Sequence, residues 1–139
     1  MVDEGRVSRL LRNVAARAER LDSATKQDED ERSDLWLDGI KYLFVTSIEG
    51  CIDVAQHIAS SEGHPAPDTN ADAIRSLGRH DVIDTDLAES LGRAVGFRNV
   101  LVHQYTDVDD AIVLASLHDV EQLHRFVQQV SAWMLDGES

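Results

Sequence analysis

Residues 34–60 read DLWLDGIKYLFVTSIEGCIDVAQHIAS and form the longest helical pattern in the chain. Apolar residues recur there every three or four positions, namely Leu37, Ile40, Phe44, Ile48, Cys51, Ala55 and Ile58. Because an α-helix completes a turn in about 3.6 residues, this spacing predicts one long amphipathic helix, and Ser33 or Asp34 can cap its start. The two-residue alternation of a β-strand is nearly absent from the chain, so an all-α fold is expected.

The same periodicity continues on both sides of this helix. Further helices are predicted from Glu4 to Ser23, from Ala71 to Gly78, from Asp84 or Thr85 to His103, and from Asp119 to Leu135. A charged connector at residues 26–34 and a glycine- and proline-containing break at residues 63–68 separate them. Short connections favour an antiparallel bundle of four main helices plus one short helix. We predict a single domain that spans residues 1–139.

Composition limits the classes of function. The chain has 139 residues, of which 42% are hydrophobic, so it is expected to fold around one core. Its 13 basic and 26 acidic residues give a net charge of −13, which disfavours a nonspecific RNA-binding protein. Five arginines against three acids occur in residues 1–20, so charge is uneven along the chain. A local positive cleft for a selective nuclease remains compatible with this balance.

The single cysteine and the apolar pattern predict the compartment. Cys51 cannot form an intramolecular disulfide, and its apolar surroundings predict a buried, inert thiol. Residues 1–9 lack the apolar core of a signal peptide. No apolar run approaches the ~20 residues of a membrane span. A cytoplasmic protein without membrane contact is expected.

No metal or cofactor motif is evident, and none is expected. Asp107, Asp109 and Asp110 lack the glycine and the terminal glutamate of a calcium loop, which favours a solvated acidic loop. Gly92 and Gly96 lie within a helical pattern and are interpreted as packing contacts rather than a phosphate-binding loop. Surface or capping roles are expected for the histidines outside the helix that ends at His103: His57, His64, His80, His118 and His124.

Chemistry-bearing residues concentrate at 96–105, GFRNVLVHQY. On an ideal helix Arg98 and Tyr105 share one face, and Asn99 and His103 share another. Arg98 and His103 are about 140° apart around the axis, so a straight helix does not direct both at one target. Convergence needs a long arginine that reaches around, a distorted helix end, or the same helix from a second subunit, whose twofold symmetry would place two Arg and two His in one cleft.

Such a cleft suits RNA cleavage. Histidine exchanges a proton near neutral pH, so His103 can deprotonate the 2′-hydroxyl or protonate the leaving oxygen. The guanidinium of Arg98 matches the negative charge that develops on phosphorus. Neither role needs a metal, and the product is a 2′,3′-cyclic phosphate. In the alternative without chemistry, Arg98 pairs with an acid, His103 caps the helix and Tyr105 packs at the end of the bundle.

Residues 98–105, RNVLVHQY, resemble the R-x4-6-H motif of HEPN domains, in the RNxLVHxY form found in HepT toxins. Residues 51–58, CIDVAQHI, resemble a second HepT pattern, as do the short-helix region at 77–91 and the exit YTDVD at 105–109. The resemblance covers about residues 40–130. It implies a helical-bundle homodimer with a composite cleft that acts as a metal-independent endoribonuclease toxin. It also implies an MntA-type nucleotidyltransferase antitoxin as partner, which transfers AMP to the motif tyrosine.

Carried over by position, the motif gives four residues roles. Arg98 would stabilise the transition state, His103 would be the acid/base, Asn99 would orient them, and Tyr105 would accept AMP. Two other functions stay open. The chain could be a non-catalytic HEPN-type subunit that binds a nucleotide or a partner, or a structural bundle whose motif packs a dimer.

Overall fold

Six α-helices follow one another in the computed structural model, which describes residues 2–104 and 108–138. They are α1 (Glu4–Thr25), α2 (Asp34–Ser61), α3 (Asn70–Arg79), α4 (Thr85–His103), α5 (Asp110–Ser116) and α6 (Glu121–Glu138). The described residues contain no strand, so the all-α prediction is confirmed. None of the helices within these ranges is long and apolar enough to cross a membrane.

Helix α2 is the centre of the core, as its apolar pattern predicts. The predicted stripe is buried from Ile40 to Ile58, and only Leu37 at its start is half-buried. The hydroxyl of Ser33 accepts a hydrogen bond of 3.1 Å from the Trp36 amide, so Ser33 and not Asp34 caps the helix. Beyond the helix end, Gly63 has a φ of +70°, a conformation that glycine adopts without a steric penalty.

The long helices run antiparallel. The Asp3 amide at the start of α1 donates a 3.0 Å hydrogen bond to Nε2 of His57, near the end of α2. The rings of Phe44, early in α2, and Phe97, late in α4, meet edge to face with centroids 5.8 Å apart. Nε2 of His124, early in α6, lies 2.7 Å from Oδ2 of Asp22, late in α1. These pairs fix the relative directions of neighbouring helices in the bundle.

Glycines allow two pairs of helices to approach closely. A Cβ atom on Gly50 of α2 would lie 2.7 Å from Cγ2 of Val14 on α1. A Cβ atom on Gly78 of α3 would lie 2.6 Å from Cβ of Ala88 on α4. Real Cβ atoms do not approach other atoms so closely, so any residue larger than glycine would clash at these two positions. Close packing therefore explains why glycine occurs there although it lowers helix propensity. The α1–α2 and α3–α4 crossings therefore depend on small residues.

The short helix α5 was not predicted. Residues 111–115 read AIVLA, a continuous apolar run without helical periodicity, and within α5 only Val113 is buried. Two polar contacts define the element instead. The Asp109 carboxylate accepts a 2.9 Å hydrogen bond from the Ala111 amide, and Asp110 lies 3.4 Å from the Lys41 ammonium of α2. Asp109 and Asp110 are both exposed, as expected for a solvated acidic stretch, but Asp109 caps α5 and Asp110 is its first residue rather than part of a loop; Asp107 lies outside the described residues.

Expectations for three single residues can be compared with the fold. Cys51 is buried, as predicted, and burial raises the pKa of its thiol far above the usual range, so the thiol stays protonated. The side chain of Arg75 covers Gly92, in agreement with a packing role. Gly96, by contrast, is exposed, and nothing lies within 4 Å of an added Cβ, so it makes no packing contact of that kind within the described chain.

Candidate functional site

The Arg98 side chain leaves α4 towards α2 and is held on two sides. Its Nη2 donates a 2.8 Å hydrogen bond to Oε1 of Glu49, and its Nη1 donates a 2.9 Å hydrogen bond to Oδ1 of Asn99. The side chain is only 20% exposed, whereas that of Glu49 is 41% exposed. Nε of Arg98 is buried and has no hydrogen-bond acceptor among the described residues. The guanidinium therefore has a fixed orientation, with the remaining Nη protons available to a ligand.

His103 is the last residue of α4 and is exposed. The helix stays regular up to this point, and the Gln104 amide closes it with a 2.8 Å hydrogen bond to the Val100 carbonyl. A distorted helix end therefore does not bring His103 round to Arg98. Arg98 does not reach around the helix either, because its guanidinium is engaged by Glu49 on α2. Three ways to bring Arg98 and His103 to one target were predicted. Of these, this geometry favours a second copy of α4.

Asn99 and Tyr105 complete the predicted set. Asn99 is exposed and its side-chain oxygen contacts the neighbouring guanidinium, which agrees with an orienting role; that role stays a prediction. Tyr105 lies outside the described residues, so its predicted role as AMP acceptor also stays a prediction. The contact between Arg98 and Glu49 matches one part of the alternative without chemistry, in which Arg98 pairs with an acid.

Glu49 is the residue of this site that sequence reasoning missed. The available signal was a single carboxylate inside the apolar run Ile48-Glu49-Gly50-Cys51-Ile52. Asp53 follows one helical turn later, on the same face of α2. Partial burial raises the pKa of the Asp53 carboxyl, the nearby negative charge of Glu49 adds to this rise, and Arg6 opposes it. This face of α2 therefore carries two carboxyl groups, of which Glu49 contacts Arg98 and Asp53 lies near Arg6.

A small cavity lies between α2, α4 and the start of α6, and neither Arg98 nor Glu49 is among the described residues that line it. Its volume is about 250 Å³, and its apolar walls include Phe97 and Ile48, the residues that precede Arg98 and Glu49 in the sequence. Hydroxyl and amide groups of Ser90 and Gln122 also line it. The cavity is therefore not assigned to the site of Arg98 and Glu49.

One group of residues within the described ranges has the donors for a metal ion. Glu19 and Asp22 of α1 and His124 of α6 bring their ligand atoms within 4.8 Å of one another. Since His124 is already hydrogen-bonded to Asp22, the group is interpreted as a polar contact between two helices. It includes neither Arg98 nor His103.

Of the remaining histidines, His57, His64 and His80 make structural contacts, and His118 is exposed. His57 accepts a hydrogen bond from the start of α1, as described above. The rings of His64 and His80 stack with centroids 3.6 Å apart, and His80 follows the end of α3, where its Nδ1 lies 2.9 Å from the Ser76 carbonyl oxygen. Burial, and secondly the charge of His80, lower the pKa of His64. The position of His80 at the end of α3 agrees with the surface or capping role expected for these histidines, whereas the stacked pair was not predicted.

Comparison with known families decides the classification. The family model described as ribonuclease HepT-like matches residues 11–130 of this chain. The chain belongs to the ribonuclease HepT-like family. The family resemblance predicted from residues 98–105 and 51–58 is thereby confirmed.

Individual HepT-like relatives agree with this classification. A protein of Archaeoglobus fulgidus described as a candidate RNase is 34% identical over 105 residues, which are 73% of this chain and 77% of that protein. The protein named mRNA nuclease HepT from Shewanella oneidensis is 31% identical over 85 residues, 60% of this chain and 64% of its own length. These descriptions agree on ribonuclease activity for the relatives.

A solved structure of a HEPN toxin has the same fold as this HepT-like chain. It is the tri-AMPylated Shewanella oneidensis HEPN toxin in complex with an MNT antitoxin, with a TM-score of 0.84 and 22% identity. The alignment covers 95% of this chain and 99% of the toxin chain. At this level of identity the similarity establishes the HEPN-like helical fold.

Proposed function

We propose that this HepT-like protein is the toxin of a toxin–antitoxin pair and acts in the cytoplasm as a metal-independent endoribonuclease. The observation that carries the proposal is the pairing of a fixed, largely buried guanidinium at Arg98 with an exposed imidazole at His103, the last residue of the same helix. The ribonuclease descriptions of the family and of its relatives support it. Residues 1–139 act as one domain in this proposal.

The cleavage step needs only proton transfer and charge neutralisation. The 2′-oxygen of the RNA forms a bond to phosphorus, and the bond from phosphorus to the 5′-oxygen breaks. One His103 imidazole accepts the 2′-hydroxyl proton, and a protonated His103 gives a proton to the 5′-oxygen. Arg98 stabilises the additional negative charge on the phosphoryl oxygens. The products are a 2′,3′-cyclic phosphate and a 5′-hydroxyl.

A homodimer is part of the proposal, since one copy of α4 directs Arg98 and His103 to different sides. The exposed face of α4 carries Gly96, Asn99, Val100 and His103 at spacings of three and four residues. Gly96 leaves open space for another backbone, and Val100 is 42% exposed. A second copy of α4 on this face would bring two guanidinium groups and two imidazoles to one cleft.

Excess EDTA is expected to leave RNA cleavage unchanged within about twofold, because neither proton transfer nor charge neutralisation by these side chains requires a metal ion. The measurement is the initial rate on total RNA with purified protein, before and after dialysis against EDTA. Loss of activity in EDTA that returns with a divalent cation would contradict the mechanism. Absence of cleavage in both samples, from a chain of unmodified mass, would favour a non-catalytic subunit.

Such a non-catalytic subunit is the second candidate function. It is favoured by the contact of Glu49 with Arg98, which offsets the positive charge of the motif, and by the net charge of −13. In this case Arg98 and His103 hold a nucleotide or a partner without cutting RNA. Expression of the chain would then not arrest growth.

Tyr105 is expected to accept one or more AMP groups from a nucleotidyltransferase antitoxin, with loss of RNA cleavage. AMP would add a bulky anion two residues after His103, and both its size and its charge would oppose binding of RNA. The structural relative that is AMPylated in complex with an MNT antitoxin supports this proposal. The measurement is the intact mass after incubation with the antitoxin and ATP.

The matched control is the other tyrosine of the chain. Tyr42 is 61% exposed on α2, so Tyr42→Phe is expected to keep the gain in mass, whereas Tyr105→Phe is expected to lose it. An equal gain in mass in Tyr105→Phe would place the modification elsewhere. An unchanged mass in the wild type would contradict AMP transfer to this chain.

A further inference from the structure

We infer that Glu49 is a positioning residue of the ribonuclease site: it orients the Arg98 guanidinium and partly offsets its charge until an RNA phosphate arrives. The inference rests on the proposed function and adds a residue that lies outside the motif at positions 98–105. It starts from the 2.8 Å contact between Oε1 of Glu49 and Nη2 of Arg98, which joins α2 to α4.

The contact restricts the guanidinium in a way that the motif alone does not. Asn99 is adjacent to Arg98 in the chain and holds Nη1, whereas Glu49 is 49 residues away and holds Nη2 from another helix. Two acceptors on two different nitrogens fix both the position and the rotation of the planar fork. The apolar stripe of α2 is buried in the core, so the backbone of α2 has a fixed position. Glu49 on this helix therefore holds the Arg98 guanidinium at a fixed position relative to the core.

The contact also leaves room for a substrate. Glu49 engages one proton of Nη2 and Asn99 one proton of Nη1, so each nitrogen keeps a second proton for a phosphate oxygen. The Glu49 side chain is 41% exposed, so its charge is partly screened by solvent but still opposes an approaching phosphate. Glu49 therefore has two opposite effects: it improves the geometry for catalysis and weakens the affinity for RNA.

These two effects predict different results for two substitutions. Glu49→Ala removes the acceptor, and because misplacement of a catalytic group costs on the order of a hundredfold, kcat is expected to fall about ten- to a hundredfold. Glu49→Gln keeps an oxygen at the same place and removes the charge. It is expected to retain kcat within about threefold and to lower KM by roughly two- to tenfold. Rescue of kcat by glutamine would show that the acceptor oxygen and not the negative charge is needed, and the lower KM, which packing alone would not cause, separates this role from general packing.

The experiment measures kcat and KM for cleavage of one RNA oligonucleotide by wild type, Glu49→Ala, Glu49→Gln and Glu121→Gln. Glu121 is exposed in the first turn of α6, so Glu121→Gln controls for the loss of one negative charge and is expected to match the wild type. Thermal unfolding establishes that each variant is folded. Should Glu49→Ala unfold, the comparison of Glu49→Gln with Glu121→Gln still tests the effect on KM.

The outcomes distinguish this inference from the proposed function. A folded Glu49→Ala variant with wild-type kcat would overturn the positioning role while cleavage by the wild type leaves the ribonuclease proposal intact. An equal loss of kcat in Glu49→Gln and Glu49→Ala would also overturn it, because the acceptor oxygen would then not suffice. Absence of cleavage by wild type and by all variants would refute the ribonuclease proposal and with it this role of Glu49.

Discussion

Replacement of His103 by alanine is expected to lower the rate of RNA cleavage by about 10²- to 10⁴-fold, the usual contribution of a general acid or base. The substitution removes the proton acceptor for the 2′-hydroxyl and the proton donor for the 5′-oxygen. His103 is exposed at the end of α4, so its removal is not expected to change the core or the melting temperature. The rate is measured under single-turnover conditions, in parallel with thermal unfolding.

His118→Ala is the matched control for this result. His118 is also exposed and lies in the turn between α5 and α6, away from the motif in sequence. We expect its cleavage rate to equal that of the wild type. A folded His103→Ala variant with at least a third of the wild-type rate would exclude His103 as the acid/base.

Replacement of Arg98 by alanine is expected to lower the rate by about 10²- to 10³-fold, as found for removal of one group that stabilises developing negative charge. The loss should appear mainly in kcat, because the charge on phosphorus increases in the transition state. Glu49 is partly exposed, so the carboxylate that loses its partner can be hydrated and the fold is expected to persist. The measurement is kcat and KM on a defined RNA oligonucleotide.

Arg98→Lys sharpens this prediction. The lysine ammonium has only three protons on one nitrogen, whereas the planar guanidinium has donors on separate nitrogens. Lysine therefore cannot contact both Glu49 and Asn99 and still donate two hydrogen bonds to a phosphate. We therefore expect Arg98→Lys to cleave RNA at less than about a tenth of the wild-type rate. Arg20→Ala, at an exposed arginine of α1, controls for loss of positive charge and should match the wild type. Equal activity of Arg98→Lys and wild type would contradict the role of the guanidinium plane.

The fold was predictable to a large extent because four helices have long periodic patterns. The stripe of α2 from Ile40 to Ile58 is buried as its spacing predicts, and the ends of α3 and α4 lie within a few residues of those expected. Helix α5 was missed for a physical reason. A seven-residue helix with a continuous apolar run has no periodic signal, and contacts of Asp109 and Asp110 define its position.

The candidate site was predictable only in the part that lies on one helix. Arg98, Asn99 and His103 are close in the sequence, so their order and their directions around α4 follow from helical geometry. Glu49 belongs to another helix, and its contact with Arg98 depends on how α2 and α4 pack. A carboxylate within an apolar run is compatible with many surface positions, so the sequence alone does not select its partner.

In the proposed mechanism, Arg98 and His103 cut RNA through attack of the 2′-hydroxyl on phosphorus. The most direct measurement is the chemical identity of the fragment ends after wild type and His103→Ala act on the same RNA in excess EDTA. We predict 2′,3′-cyclic phosphate and 5′-hydroxyl ends with the wild type and intact RNA with the variant. Fragments with 5′-phosphate ends, or the same fragments from the folded variant, would contradict this mechanism.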